Sequence, residues 1–464
     1  MNAVPIDPSD ATNGAHERQA LAIRRELMAT LGPMPFWQKG TVAVLSGIIL
    51  LGMVAYSFQL RRGLSVTAMT DYFSWGIYII NFVFFIGISM AGTLISAVLR
   101  MMGADWRRPI TRMAEGVTVI ALLLAGAMIV ADMGRPDRFF FVFLHGRLQS
   151  PILWDVIALT SYLVGSALFL YLPLIPDLAI LRDHGQHFSR WRRFLYDKLS
   201  LGWRGTPKQH RHLELSVSIM SVIIIPVAIS IHTVTAWLFG MTLRPGWHST
   251  IIGPDFVVGA LYSGIAAVLT VMALFRWMFR LENYVTLEHF KKLSLLLLGL
   301  CVAYGYFVVN EYWGPGYMME THEQRLLETI FTGAYALEFW SMVVIGLVIP
   351  GIMLALPWTR TIPGIIIASI LVNIGMWVKR YIIVVPTLSS PFMPLPESAG
   401  HITYIPTWTE WSITAAALAA TCLMYLIFSK IFPIVSIWEV SEKPEPDRVN
   451  AAASTSAETT PCAV

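Results

Sequence analysis

Charge is what this chain has least of. Of its 464 residues, only 13% are Asp, Glu, Lys or Arg, while 56% are hydrophobic. Soluble domains run at about 25% charged, and roughly half of that cannot cover a soluble surface. The mean hydropathy of +0.62 agrees, so the composition excludes a soluble fold and points to an integral membrane protein. Cysteine is scarce too. Cys301, Cys422 and Cys462 are too few and too scattered for a disulfide framework, a zinc site or an iron–sulfur cluster. There is no Walker loop and no Gly-x-Gly-x-x-Gly, so nucleotide chemistry has no support, and the absence of Cys-x-x-Cys-His excludes c-type haem. A net charge of +4 is modest and gives no reason to expect nucleic acid. Residues 1–35 are polar, with no apolar core behind a short basic stretch, so no signal peptide is expected.

What the chain does have is long apolar runs. A span needs about 20 apolar residues to cross ~30 Å of hydrocarbon. Ten segments qualify, near 41–60, 72–99, 113–133, 152–175, 213–240, 255–279, 288–311, 328–356, 361–385 and 408–432. They are far longer than barrel strands and do not alternate apolar with polar, so the expected fold is all-α. The domain plan is a 1–40 N-terminal segment, a 41–432 membrane domain and a 433–464 tail. Beyond Ser441 that tail is rich in Ala, Ser, Thr, Glu and Pro, which predicts disorder.

The basic residues set the orientation. Twenty-four of the 33 Lys and Arg fall on the face that carries the N-terminus, seven on the other, and Lys379 and Arg380 inside span nine. This bias makes the basic face cytoplasmic, with both termini inside, as in a multi-pass protein of a bacterial inner membrane. The loop at about 176–212 mixes arginine with aromatics, from Phe188 to Tyr196, which suits either a helix lying at the headgroups of the lipid bilayer or a plain basic loop. On the opposite face, the loop at about 386–407 is stiffened by Pro386, Pro391, Pro394 and Pro396 and is a candidate docking surface for a partner.

Ionisable groups inside a membrane are costly, so each is a functional candidate. Asp71, Asp132, Arg135, Asp155 and His232 come from four successive spans, yet all fall near the face opposite the basic one. His232 lies eight residues from the end of span five, about 12 Å deep at helical rise. Each residue has a plainer reading: Asp71 as a cap or interfacial charge, Asp132 and Arg135 as a mutual pair, His232 as a satisfied structural residue. Their shared level favours chemistry. Quinol oxidation needs a carboxylate or neutral imidazole to take a proton as electrons leave. Phe73, Trp75, Tyr78, Trp154 and Tyr162 are placed to line an apolar slot for a quinone tail. A second polar layer holds Glu311, Glu338, Lys379 and Arg380, and an ion pair of Glu338 with Arg380 or Lys379 is expected there. Glu115, Glu311, Glu338 and Arg380 form a candidate proton path. Only His232 among eleven histidines sits well inside a span, so bis-histidine haem is not expected. A secondary transporter is the alternative, since ten spans in two similar bundles with breaks at Pro226 and Pro350 would suit it.

Several segments in order carry a family resemblance. Gly63-Leu64-Ser65-Val66-Thr67, Trp75-Gly76-Ile77-Tyr78 and Met133-Gly134-Arg135-Pro136 resemble NrfD/PsrC-type membrane subunits, the polysulfide reductase-like family. Ser150-Pro151-Ile152-Leu153-Trp154-Asp155-Val156, Leu174-Ile175-Pro176-Asp177, Ser230-Ile231-His232-Thr233-Val234, Pro245-Gly246-Trp247-His248 and Lys379-Arg380-Tyr381 are similar to the ActC subunit of alternative complex III. The resemblance spans about 41–432. It implies two four-helix bundles, spans two to five and six to nine, flanked by spans one and ten. It also implies a quinone site in the first bundle near the periplasmic face, menaquinone or ubiquinone being the substrate, with no haem or iron–sulfur cluster in this chain. Partners would be a periplasmic iron–sulfur or molybdopterin-like subunit and a second NrfD-like or small membrane subunit. Asp155 matches the family's quinone-site aspartate and His232 its span-five histidine. Asp132 stands where relatives often have histidine.

Overall fold

The computed structural model describes residues 8–185, 188–390, 392 and 404–442. Helices dominate, and no strand occurs among the described residues. Ten helices are long and apolar enough to cross a bilayer: Phe36–Val66, Ile77–Met101, Asp105–Asp132, Pro151–Tyr171, Pro207–Gly240, Ile252–Phe279, Leu287–Met318, Ala336–Ala355, Ile362–Ser389 and Trp408–Ile431. These are spans one to ten. Their ends follow local chemistry. Thr206 and Gln209 form a capping box that starts span five six residues before the apolar run does. Thr407 and Glu410 do the same for span ten.

Span eight departs from the expected 328–356. Thr321–Phe331 is a separate amphipathic helix, and the chain turns at Thr332 and Gly333 before the span begins at Ala336. The charges of that helix, Glu323, Arg325 and Glu328, explain why it cannot join the span. Glu338 therefore stands in the first turn of span eight, not about ten residues in. Pro226 lies inside an unbroken span five, so it makes no helix break of the kind a transporter site uses.

Spans two to five and six to nine form two groups joined where span two packs on span six. Small residues make that contact possible: a Cβ at Gly264 would meet Ala91 at 2.9 Å. Spans eight and nine cross at Gly346 and Gly375, where a Cβ on Gly375 would lie 2.2 Å from the Gly346 Cα. Span one packs against span ten, Gly52 against Ala416. One π turn interrupts span two at Leu94–Val98 and another span eight at Val344–Val348, a feature that recurs at functional sites.

The basic face carries the short helices Pro8–Ala29, Leu174–His184, Arg190–Leu199 and Ile437–Glu442. In Arg190–Leu199, Trp191 and Phe194 are exposed, as a headgroup-level helix requires. Arg112 and Asp177, both buried, form an ion pair at 2.5 Å. Arg112 also donates to the carbonyls of Pro173 and Pro433, and Asp177 accepts from the backbone N–H of Ile437 and Trp438. The start of the 433–464 tail is thus anchored to the membrane domain. The rest, 443–464, and most of the proline-rich 386–407 loop lie outside the described residues.

Candidate functional site

Pro151 opens span four, and Asp155 follows one turn later, about 6 Å from the helix start at ~1.5 Å per residue. It is only 4% exposed, and its Oδ1 accepts a 2.6 Å hydrogen bond from Thr235 of span five. His232 stands three residues before Thr235, on the same helix face. Its Nδ1 lies 2.6 Å from the Ala228 carbonyl, and its Nε2 lies 3.2 Å from the Ile86 carbonyl of span two. A neutral imidazole has one N–H. The shorter contact assigns that proton to Nδ1, by geometry. Nε2 then faces a carbonyl without a proton to share, which makes it the nitrogen ready to take one.

A polar thread leads inward from this point. Ser89, Thr93 and Ser96 follow Ile86 along one face of span two at helical spacing. The Tyr162 hydroxyl lies 2.6 Å from Thr93 and donates to the Ser89 carbonyl at 3.1 Å. Thr118 donates to the same carbonyl at 2.7 Å. Ser96, within the π turn, bonds Glu115 of span three. Hydroxyls thus line span two between His232 and Glu115, although no hydrogen bond joins Thr93 to Ser96 among the described residues. The three hydroxyl positions lack the sequence signal of an ionisable group, so inspection of charges alone passes over them.

The remaining predicted residues spread out. Tyr78 is buried and donates to Gln59 of span one at 2.6 Å, while Gln59 donates to the Ala131 carbonyl. Asp132 stands one residue on, half-buried, with an Oδ1 that has no hydrogen-bond partner. Arg135 does not pair with Asp132: it is exposed and bonded to Asp137 at 3.0 Å. Gly134 causes this. Its φ of 64° turns the chain out of the helix, and a Cβ there would strike Leu64 at 2.8 Å. Asp71 is exposed. Trp154 is half-buried and donates to the Leu148 carbonyl. Trp75 sits instead between the bundles, 5.3 Å from Phe239 and 5.6 Å from Trp247 by ring centroids.

The second bundle holds its own cluster at a similar depth. Lys379 pairs with Glu311, not with Glu338, and donates to Tyr312 at 3.2 Å. Arg380 lies with its guanidinium 5.0 Å over the Phe256 ring, and its Nη1 has no hydrogen-bond partner. The expected Glu338 pair fails because Glu338 begins its span, whereas Lys379 and Arg380 lie two to three turns inside theirs. Glu338 keeps an unpartnered Oε2. Asp255, in the first turn of span six, joins Glu311 in lining a narrow cleft of about 30 Å³ under Trp247. Its buried Oδ1 is also unpartnered. Its position behind Pro254 parallels Asp155 behind Pro151, a signal visible in the sequence. Glu410 was hidden by its role as a cap: it accepts from Tyr404 at 2.6 Å and from the Ala68 backbone at 2.9 Å. Burial, with Glu410 beside it, pushes the Tyr404 phenol above its ordinary value, so it remains a donor.

Comparison with known proteins agrees with this architecture. The model of the family described as polysulphide reductase, NrfD, matches residues 65–390. A putative membrane subunit of dimethyl sulfoxide reductase from Halobacterium salinarum is 29% identical over 252 residues, 54% of each chain. A selenate reductase subunit from Mesobacillus selenatarsenatis is 23% identical over 87% of this chain and 97% of its own. An Hdr-like menaquinol oxidoreductase integral membrane subunit from Archaeoglobus fulgidus is 23% identical over 87% of this chain and 95% of its own.

Proposed function

Because the chain belongs to the NrfD family of polysulphide reductase membrane proteins, we propose that it is the quinone-interacting membrane subunit of a respiratory oxidoreductase. The observation that carries this reading is the bond between Asp155 and Thr235 with buried His232 about one turn away on the same face of span five. Bound quinol supplies two electrons and two protons. Thr235 occupies one oxygen of Asp155 and fixes the carboxylate, leaving the other oxygen to accept from a hydroxyl. His232 Nε2, aimed across at span two, takes the second proton. Asp132 and Tyr78, close to the same face, border the approach, and Trp154 flanks it at the start of span four. The basic bias of the opposite loops supports a site near the periplasmic face of a bacterial inner membrane, with both termini cytoplasmic.

Quinol oxidation, rather than quinone reduction, is the direction we favour. It is supported by the resemblance to ActC of alternative complex III and by a relative whose name specifies menaquinol, against another relative, 25% identical over 82% of this chain, whose name specifies menaquinone reduction. Electrons then pass to an iron–sulfur subunit bound outside. Ser89, Thr93 and Ser96 lead from the site to Glu115 and are the chain's own means of moving a proton inward. The test uses the assembled complex carrying Asp155→Asn and His232→Ala. Quinol-dependent reduction of the acceptor should be abolished while the subunits still co-purify. Undiminished turnover would overturn the proposal.

A further inference from the structure

A second cavity lies on the other side of the membrane midplane. It has a volume of about 500 Å³ and runs between spans one, two, three, six and ten. Its walls are apolar, with Leu45, Phe85, Ile120, Val271 and Tyr425 among them. Along span six it extends from Ala267 to Met278, about 16 Å at ~1.5 Å per residue. Its length and apolar walls suit one extended alkyl chain.

Its mouth lies at the basic face. Trp37 begins span one and Trp277 ends span six, and their rings meet at 5.4 Å, where membrane proteins place aromatic side chains at headgroup level. Both rings are largely exposed to the surroundings. Cys422 and Leu426 line the wall, and Lys430 continues the same helix face one turn further out. The Lys430 ammonium lies 4.8 Å over the Phe279 ring and donates to the Thr30 carbonyl at 3.2 Å. It is only 5% exposed and has no carboxylate partner among the described residues, so its charge acts on the mouth from behind the protein surface. Exposed Arg280 follows just beyond, and Glu282 is the one acid of that turn.

We propose that this cavity is a phospholipid site. One acyl chain from the leaflet at the basic face enters between Trp37 and Trp277, and exposed Arg280 holds an anionic headgroup at the mouth. The site lies in the opposite membrane half from Asp155 and His232, so it serves the subunit's seating in lipid and not the quinone reaction.

The test is direct. The intact complex, in phosphatidylcholine vesicles containing phosphatidylglycerol with a photoreactive group on its acyl chain, is irradiated and its labelled peptides mapped. Label should concentrate on spans six and ten near Val271 and Cys422. Ala267→Leu with Ala121→Leu fills the cavity and should remove that label while leaving the melting temperature within a few degrees. Arg280→Gln should weaken the preference for phosphatidylglycerol over phosphatidylcholine about fivefold, as one basic group near the surface contributes. Label that survives the filled cavity overturns the proposal. So does a cysteine crosslink from Cys422 to a partner subunit, or displacement of the label by menaquinone. Equal labelling by both phospholipids would overturn the headgroup assignment.

Discussion

The two bundles place comparable groups at comparable depth and treat them differently. Span five carries His232 eight residues from its end, and span nine carries Arg380 nine residues from its end. In the first bundle the acid opposite is Asp155, bonded to a neutral hydroxyl and with no ion pair among the described residues. In the second, Lys379 is tied to Glu311, and Asp255 lies within electrostatic reach of both and of Arg380. Fixed opposite charges hold each other in place and resist a change of protonation. A carboxylate beside a threonine and an imidazole beside carbonyls do not. The first bundle is thus built to exchange protons with a ligand, and the second to hold charge where the first does not.

That contrast can be broken at several points. Asp155→Asn should cut quinol turnover by about 10²- to 10⁴-fold, the usual contribution of a positioned proton acceptor. Asp255→Asn should cost less than tenfold in the same assay of the assembled complex, and equal losses would erase the distinction. Lys379→Met strands Glu311 and should destabilise the protein by about 3–5 kcal/mol, read as a fall in melting temperature. Adding Glu311→Gln should recover most of that loss, which would not happen if Lys379 served chemistry alone. Thr235→Val should lower turnover about tenfold and move the pH profile, while Thr235→Ser keeps both, since the hydroxyl positions Asp155 and does not touch a reacting atom. The smallest effect belongs to Arg135→Ala. Its exposed pair with Asp137 predicts unchanged turnover and melting temperature.

The architecture was legible because the bilayer enforces it: apolar runs of the right length have few alternatives to spanning helices. What misled was local. The apolar stretch from 328 onward reads as one span, but a helix with Glu323 and Glu328 on it packs beside the membrane domain and ends before Ala336. That shift moves Glu338 out of reach of Lys379. Asp132 and Arg135 are near in sequence, yet one glycine of positive φ separates them. Asp255 and Glu410 sit at helix starts, where acids are common as caps, and only the partners each makes distinguish them. The level shared by Asp155 and His232 follows from counting residues along spans, while the bond through Thr235 needs the packing of spans four and five.

The contact between span one and span ten has a consequence in time. Span one offers few buried residues of its own, Gln38, Gly52, Ala55 and Gln59, and the neighbour against which Gly52 fits is Ala416. More than 300 residues of synthesis separate the two, roughly 20 to 70 s at ~5–20 residues per second. Through that interval the first helix to enter the bilayer waits at the edge of an unfinished molecule. The last one to enter closes the circle, so a chain cut short before Trp408 leaves its earliest span without its mate.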